Sequence, residues 1–147
     1  MRALAITVGF LTGLFSAMAV ATDDAQADYM LNCQGCHLAD GSGFPARQVP
    51  ALRNEVGKFL AVAGGREFLV QVPGSAQSNL SDARLAAVLN WLLQEFSAEQ
   101  LPADFQPYQV EEVHRLRQSP LLEVAQPRAE LIEKILLAEQ SAAMSGS

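Results

Sequence analysis

Two cysteines separated by two residues and followed at once by a histidine, Cys33-Gln34-Gly35-Cys36-His37, constrain this chain more than any other feature. Two thiols one helical turn apart can add across the two vinyl groups of a single porphyrin, and the adjacent imidazole can reach the iron from the proximal face. C-x-x-C-H is accordingly the pattern of covalent haem attachment. Spacing decides this, because fewer or more intervening residues misplace a sulfur or the imidazole. Gly35 leaves the ring edge room beside the backbone. Three other readings use the same residues. A structural zinc site usually needs four Cys or His ligands, and the chain offers Cys33, Cys36, His37 and the distant His114. A thioredoxin-like redox pair follows a strand, whereas the residues before Cys33 read as helix. A plain disulfide loop leaves His37 without a reason.

The N-terminus points the same way. Arg2, the uncharged apolar run Ala3 to Phe15 and Ala19-Val20-Ala21 read as a secretory signal peptide with an A-x-A cleavage site. Residues 1–21 are expected to be removed, leaving Thr22 as the mature start. The apolar run is short and is followed closely by Asp23 and Asp24, so an uncleaved membrane anchor is the weaker reading. No later stretch has spanning length, and the mature chain is expected to lack a membrane span. Haem is attached covalently on the outer side of the bacterial inner membrane, so the expected compartment is the periplasm. One cofactor consuming both cysteines also explains an exported chain with no other cysteine for a disulfide.

Only Arg2 of the ten basic residues precedes Thr22, which leaves nine against sixteen acidic residues in the mature chain. This balance argues against nucleic acid as a partner and is compatible with steering toward a basic patch on a redox partner protein. About one domain's worth of residues remains, enough for one small core, to which a porphyrin would add apolar surface.

The pattern along the chain is all-α. Asp23 to Cys36 is helix-compatible, with Asp23, Asp24 and Asp28 placed early, where they suit a helix N-terminus. Ala39 to Pro50, with Asp40-Gly41-Ser42-Gly43 and two prolines, reads as a loop. Short helical pieces are predicted at Arg53 to Ala63 and Arg66 to Val72, broken by Gly64-Gly65 and Pro73-Gly74. The clearest helix is Asp82 to Phe96, with Ser81 as N-cap and an apolar stripe of Leu85, Val88, Leu89, Leu92, Leu93 and Phe96. Trp91 within it reads as core. Beyond a proline-punctuated linker, Val110 to Arg117 and Pro120 to Gln140 read as helical, the second interrupted or restarted at Pro127. Leu131, Ile132, Ile135 and Leu136 give it an apolar face, for which the haem domain is the simplest cover. Ser141 to Ser147 is expected to be a disordered tail.

With motif, loop, short helices and long helix in this order, residues from about Ala25 to Phe96 resemble a class I cytochrome c domain. The resemblance is carried by Cys33-Gln34-Gly35-Cys36-His37, by Val49-Pro50-Ala51-Leu52, and by Leu80-Ser81-Asp82 through Trp91-Leu92-Leu93. It implies one covalent haem c tethered by Cys33 and Cys36, His37 as proximal iron ligand, and a hydrogen bond from the imidazole to the carbonyl of Pro50. Such a bond orients the ring and raises its basicity toward iron. The implied boundaries are a haem domain over 22–100, a helical C-terminal extension over 101–140 and the tail over 141–147.

The resemblance breaks on the distal side. Class I cytochromes bring a methionine to the iron from the loop before the last helix, and Val70 to Leu80 contains none. Val72 stands near that slot and cannot ligate. Four resolutions are open: His114 reaching back as a second axial ligand, an open or water-bound iron, a weak donor such as Gln71, Gln77 or Asn79, and Met144 folding back. The expected distal loop holds neither His nor Arg for peroxide chemistry, so the sequence reads as a carrier and not an enzyme. The expected function is periplasmic one-electron transfer between a dehydrogenase or membrane complex and an acceptor. The alternatives are a haem protein with an open distal site for small diatomic ligands and a haem subunit docked on an enzyme.

Overall fold

Helix α5 (Asp82–Ser97) organises the molecule, in a computed structural model that describes residues 21–145. The signal-peptide reading falls on residues 1–20, outside the described residues, apart from Ala21. Preceding α5 in chain order are α1 (Ala21–Asn32), α2 (Gln34–His37), α3 (Gly65–Gln71) and the single turn α4 (Pro73–Ala76); α6 (Val110–Arg117) and α7 (Ala125–Ser145) follow it. Short 3₁₀ turns occupy Pro45–Arg47, Val56–Ala61 and Ala98–Gln100. Among the described residues there is no strand, only an isolated bridge between Phe44 and Val49.

α5 starts where its cap requires. The Ser81 hydroxyl accepts the Arg84 N–H at 3.3 Å, and the whole predicted stripe, Leu85 to Phe96, is buried. α1 packs across it. Ala25, Asp28 and Tyr29 face inward; the Tyr29 ring stands 5.2 Å from both the Trp91 and Phe96 rings. Asp28, placed by the sequence reading where it suits a helix N-terminus, lies past the middle of α1. Its carboxylate is buried and receives both Nε and Nη2 of Arg84, the Nε contact at 2.7 Å. A buried carboxylate without such a partner would be costly.

The predicted helix over Arg53 to Ala63 is shorter and tighter, a 3₁₀ segment that buries Val56 and Phe59. At its start the Gly57 N–H donates to the buried Ser97 hydroxyl at 2.9 Å. α6 has its predicted bounds, whereas α7 starts later than Pro120, and Pro127 falls in its first turn, where its missing N–H costs nothing. Of the stretch 141–147, expected to be a disordered tail, residues as far as Ser145 lie in α7. The helix continues through Ala142 and Ala143, strong helix formers, and no breaker precedes Gly146.

Tyr108, Val113, Leu116, Leu131 and Ile135 of the C-terminal extension belong to the same apolar cluster as α1, α3 and α5. Of the expected α7 face, Leu131 and Ile135 are buried, Ile132 is half-buried and Leu136 is exposed. Polar contacts fix the linker: the Asn90 amide accepts the Tyr108 N–H at 2.7 Å and donates to its carbonyl at 3.0 Å. Arg66 of α3 binds Glu112 of α6 at 2.5 and 2.7 Å and lies over the Tyr108 ring. Among the described residues no helix is long and apolar enough to cross a membrane.

Candidate haem-attachment site

Asn32 closes α1, and the chain then turns tightly: the N–H groups of Cys36 and His37 both donate to the Cys33 carbonyl, at 3.1 and 3.0 Å. This turn places the two thiols and the imidazole on one short stretch of backbone. Cys33 is half-buried against the core, Cys36 is exposed, and neither is in a disulfide. Burial, then Asp28 and Cys36, push the Cys33 thiol up to about 11. A thiol that stays protonated is the opposite of the activated thiolate of a thioredoxin-like pair. No cluster of three or more His, Cys, Asp or Glu able to hold a metal ion forms among the described residues.

His37 Nδ1 lies 3.1 Å from the carbonyl oxygen of Pro50. A carbonyl only accepts, so Nδ1 carries the proton and Nε2 presents a lone pair. Burial lowers the His37 pKa below its ordinary value, outweighing the opposite pull of the Pro50 bond. The favoured state is thus a neutral imidazole with Nε2 available, the state that binds a metal.

The loop after His37 holds this geometry through unusual backbone. Leu38 has φ +63°, a region costly for a branched side chain, and its carbonyl accepts the Tyr29 hydroxyl at 2.7 Å. Desolvation, then Cys33 and Asp40, push that hydroxyl up to about 12, so it remains a donor. The Gly43 N–H donates to the His37 carbonyl at 3.1 Å, and Phe44 and Val49 exchange backbone bonds at 2.9 and 3.2 Å. Gly43 has φ +70°, and a Cβ built there would stand 2.4 Å from the Pro50 oxygen that accepts from His37. Only glycine leaves that oxygen where it is. Between the cysteines, by contrast, a Cβ at Gly35 would meet no protein atom within 4 Å. Two unbonded thiols, a neutral imidazole and open space beside Gly35 fit a covalently held porphyrin.

The other candidate residues are elsewhere. His114 lies on α6, its Nδ1 2.8 Å from an Asp82 carboxylate oxygen and its side chain 66% exposed. That helix packs on α3, α4 and α5. Met30 and Met144 are both exposed. Over Val70 to Leu80, Val70 is fully buried, Val72 is half-buried against the core, and Pro73–Ala76 forms the turn α4. Sequence reasoning missed Tyr29 and Gly43 as determinants of this region; a glycine in a turn-rich stretch just before two prolines was the available signal for Gly43.

No protein-family profile matches the chain. A cytochrome c-552 of Thermus thermophilus is 32% identical over 126 residues, covering 74% of this chain and 84% of the relative. The chain belongs to the cytochrome c family. A second Thermus thermophilus cytochrome c-552 is 33% identical over 107 residues, covering 60% of this chain and 81% of its own length. The all-α architecture agrees with that membership, and covalently attached haem c is the cofactor of this cytochrome.

Proposed function

We propose that this cytochrome is a periplasmic carrier of single electrons between a dehydrogenase or membrane complex and an acceptor, with one haem c. Cys33 and Cys36 tether the group, and His37 Nε2 is the proximal iron ligand. The observation that carries this reading is the His37–Pro50 bond at 3.1 Å beside two unbonded thiols on one turn. Bound haem c supplies a one-electron ferric/ferrous couple. The protein's own part is to orient and hold. Pro50 keeps the proton on Nδ1, Gly43 lets Pro50 approach, and Tyr29 anchors the exit of the turn. In this reading the segment from Val70 to Leu80 is the wall across from His37, and Val72 gives it an apolar lining.

A second reading is favoured by one observation. His114 is engaged with Asp82, and neither methionine nor histidine stands in the segment 70–80. The sixth position would then be filled by solvent or a weak donor, and the ferrous protein would bind diatomic ligands. Spectroelectrochemical titration of the exported holoprotein tests the carrier, which requires a reversible one-electron wave and no turnover of peroxide. Carbon monoxide separates the two readings: a slow, partial Soret shift supports the carrier, and a rapid, complete one supports the open site.

A further inference from the structure

Arg117 ends α6, well outside the attachment region, yet its guanidinium is directed into the segment before α5. Nε donates to the Ala76 carbonyl at 3.1 Å, Nη2 to the Ser78 carbonyl at 2.7 Å, and Nη1 to both the Leu80 carbonyl and the Asp82 carboxylate at 2.8 Å. Its side chain is only 14% exposed. Four acceptors within seven residues are thus gathered by one planar fork, which a lysine ammonium cannot reproduce. The other end of the same segment is tied by the extension as well. The Leu121 N–H donates to the Gln71 carbonyl at 2.9 Å. Between these two ties the chain has little regular structure of its own, only the turn Pro73–Ala76. Three carbonyls, those of Ala76, Ser78 and Leu80, would lose this partner without Arg117.

We infer that Arg117 is a positioning residue of the haem site: the C-terminal extension clamps the segment 71–82, and this clamp limits how readily an external ligand reaches the sixth coordination position. The inference rests on the proposed placement of haem between His37 and that segment. It gives the extension a role at the iron without supplying an iron ligand. A wall held at both ends opens rarely, and a ligand that must wait for opening associates at a rate scaled by the open population.

Full-length holoprotein with Arg117→Gln and Arg117→Lys tests this, using two readouts. Backbone amide exchange over 74–82, measured on wild type and both variants, is expected to speed up in the variants, most in Arg117→Gln. Carbon monoxide association with the ferrous protein is expected to be on the order of tenfold faster, an opening equilibrium shifted by about 1.4 kcal/mol. Arg66→Gln is the control. It loosens the extension at the Glu112 contact, and it should lower the melting temperature while leaving carbon monoxide association unchanged. Variants that melt earlier but keep wild-type exchange over 74–82 and wild-type association would make Arg117 a stability residue only and overturn the inference. Faster exchange with unchanged association would also overturn it, by separating the clamp from the iron. If Arg117→Gln does not accumulate, Arg117→Lys decides by the same two readouts. Colourless wild-type protein would defeat the underlying haem reading instead, a result visible before any variant is compared.

Discussion

Gly43→Ala is the substitution most damaging to the attachment site for the least added volume. The new Cβ would lie 2.4 Å from the Pro50 oxygen, 2.6 Å from its carbon and 2.7 Å from the Val49 oxygen. Ordinary contact needs a separation of about 3.5 Å, so the Pro50 carbonyl must retreat by roughly 1 Å. That oxygen already sits 3.1 Å from His37 Nδ1, and a further retreat breaks the bond or drags the imidazole with it. Two costs add. Holding alanine at φ +70° costs about 1–2 kcal/mol, and overpacking against fixed backbone costs about 1–3 kcal/mol. Together they remove a large part of the stability of a typical small domain. Gly74→Ala is the matched control: it adds the same methyl inside α4 with no atom within 4 Å, and it should stabilise by about 0.4–1 kcal/mol. Denaturant melts give the stability, and haem absorbance per polypeptide gives the attachment yield. Gly43→Ala should lose both. Wild-type stability together with a wild-type spectrum would refute the reasoning about the Pro50 cradle.

Three further outcomes follow from the geometry. Asp28→Ala should destabilise by about 2 kcal/mol; loss of the Arg84 bonds dominates, and the exposed guanidinium recovers water, so a melt within error of wild type would show the pair to be inert. Arg66 holds the Glu112 carboxyl below its ordinary value, opposed by partial burial and assisted by Arg115. The native pKa is therefore lower than the unfolded one, so this pair stabilises fully above about pH 4.5 and is lost as pH falls through the native value. Amide exchange over α6 should rise in that acid window, and Glu112→Gln should remove this part of the rise. An unchanged acid profile in Glu112→Gln would contradict the assignment. His114→Ala should leave ferric and ferrous spectra unchanged, because its ring is engaged with Asp82; conversion from low to high spin would restore it as a ligand.

What the sequence disclosed here was local and periodic. The C-x-x-C-H pattern is five consecutive residues, and α5 announces itself by a cap and a stripe at helical spacing, so both could be read directly. α6 has no side-chain cap and was readable as the short stretch between the proline-punctuated linker and Pro120. The 3₁₀ segment at Val56–Ala61 was not, because its geometry answers to a long-range bond from Gly57 to Ser97, forty residues away. Arg117 is 35 to 41 residues from its acceptors, and no periodicity points a guanidinium at backbone carbonyls. His114 illustrates the converse. As a second histidine it attracted a ligand role by residue type alone, and an aspartate 32 positions earlier holds it. Burial of Asp28 was hidden too, since an early helix acid and a buried ion-paired acid look identical in one dimension.

The most direct test of the central claim is the mass of the peptide spanning 33–37, digested from protein made in a host competent for cytochrome maturation. The expected result is a single peptide carrying one haem through thioether bonds at both Cys33 and Cys36. An unmodified peptide with two free thiols would contradict it.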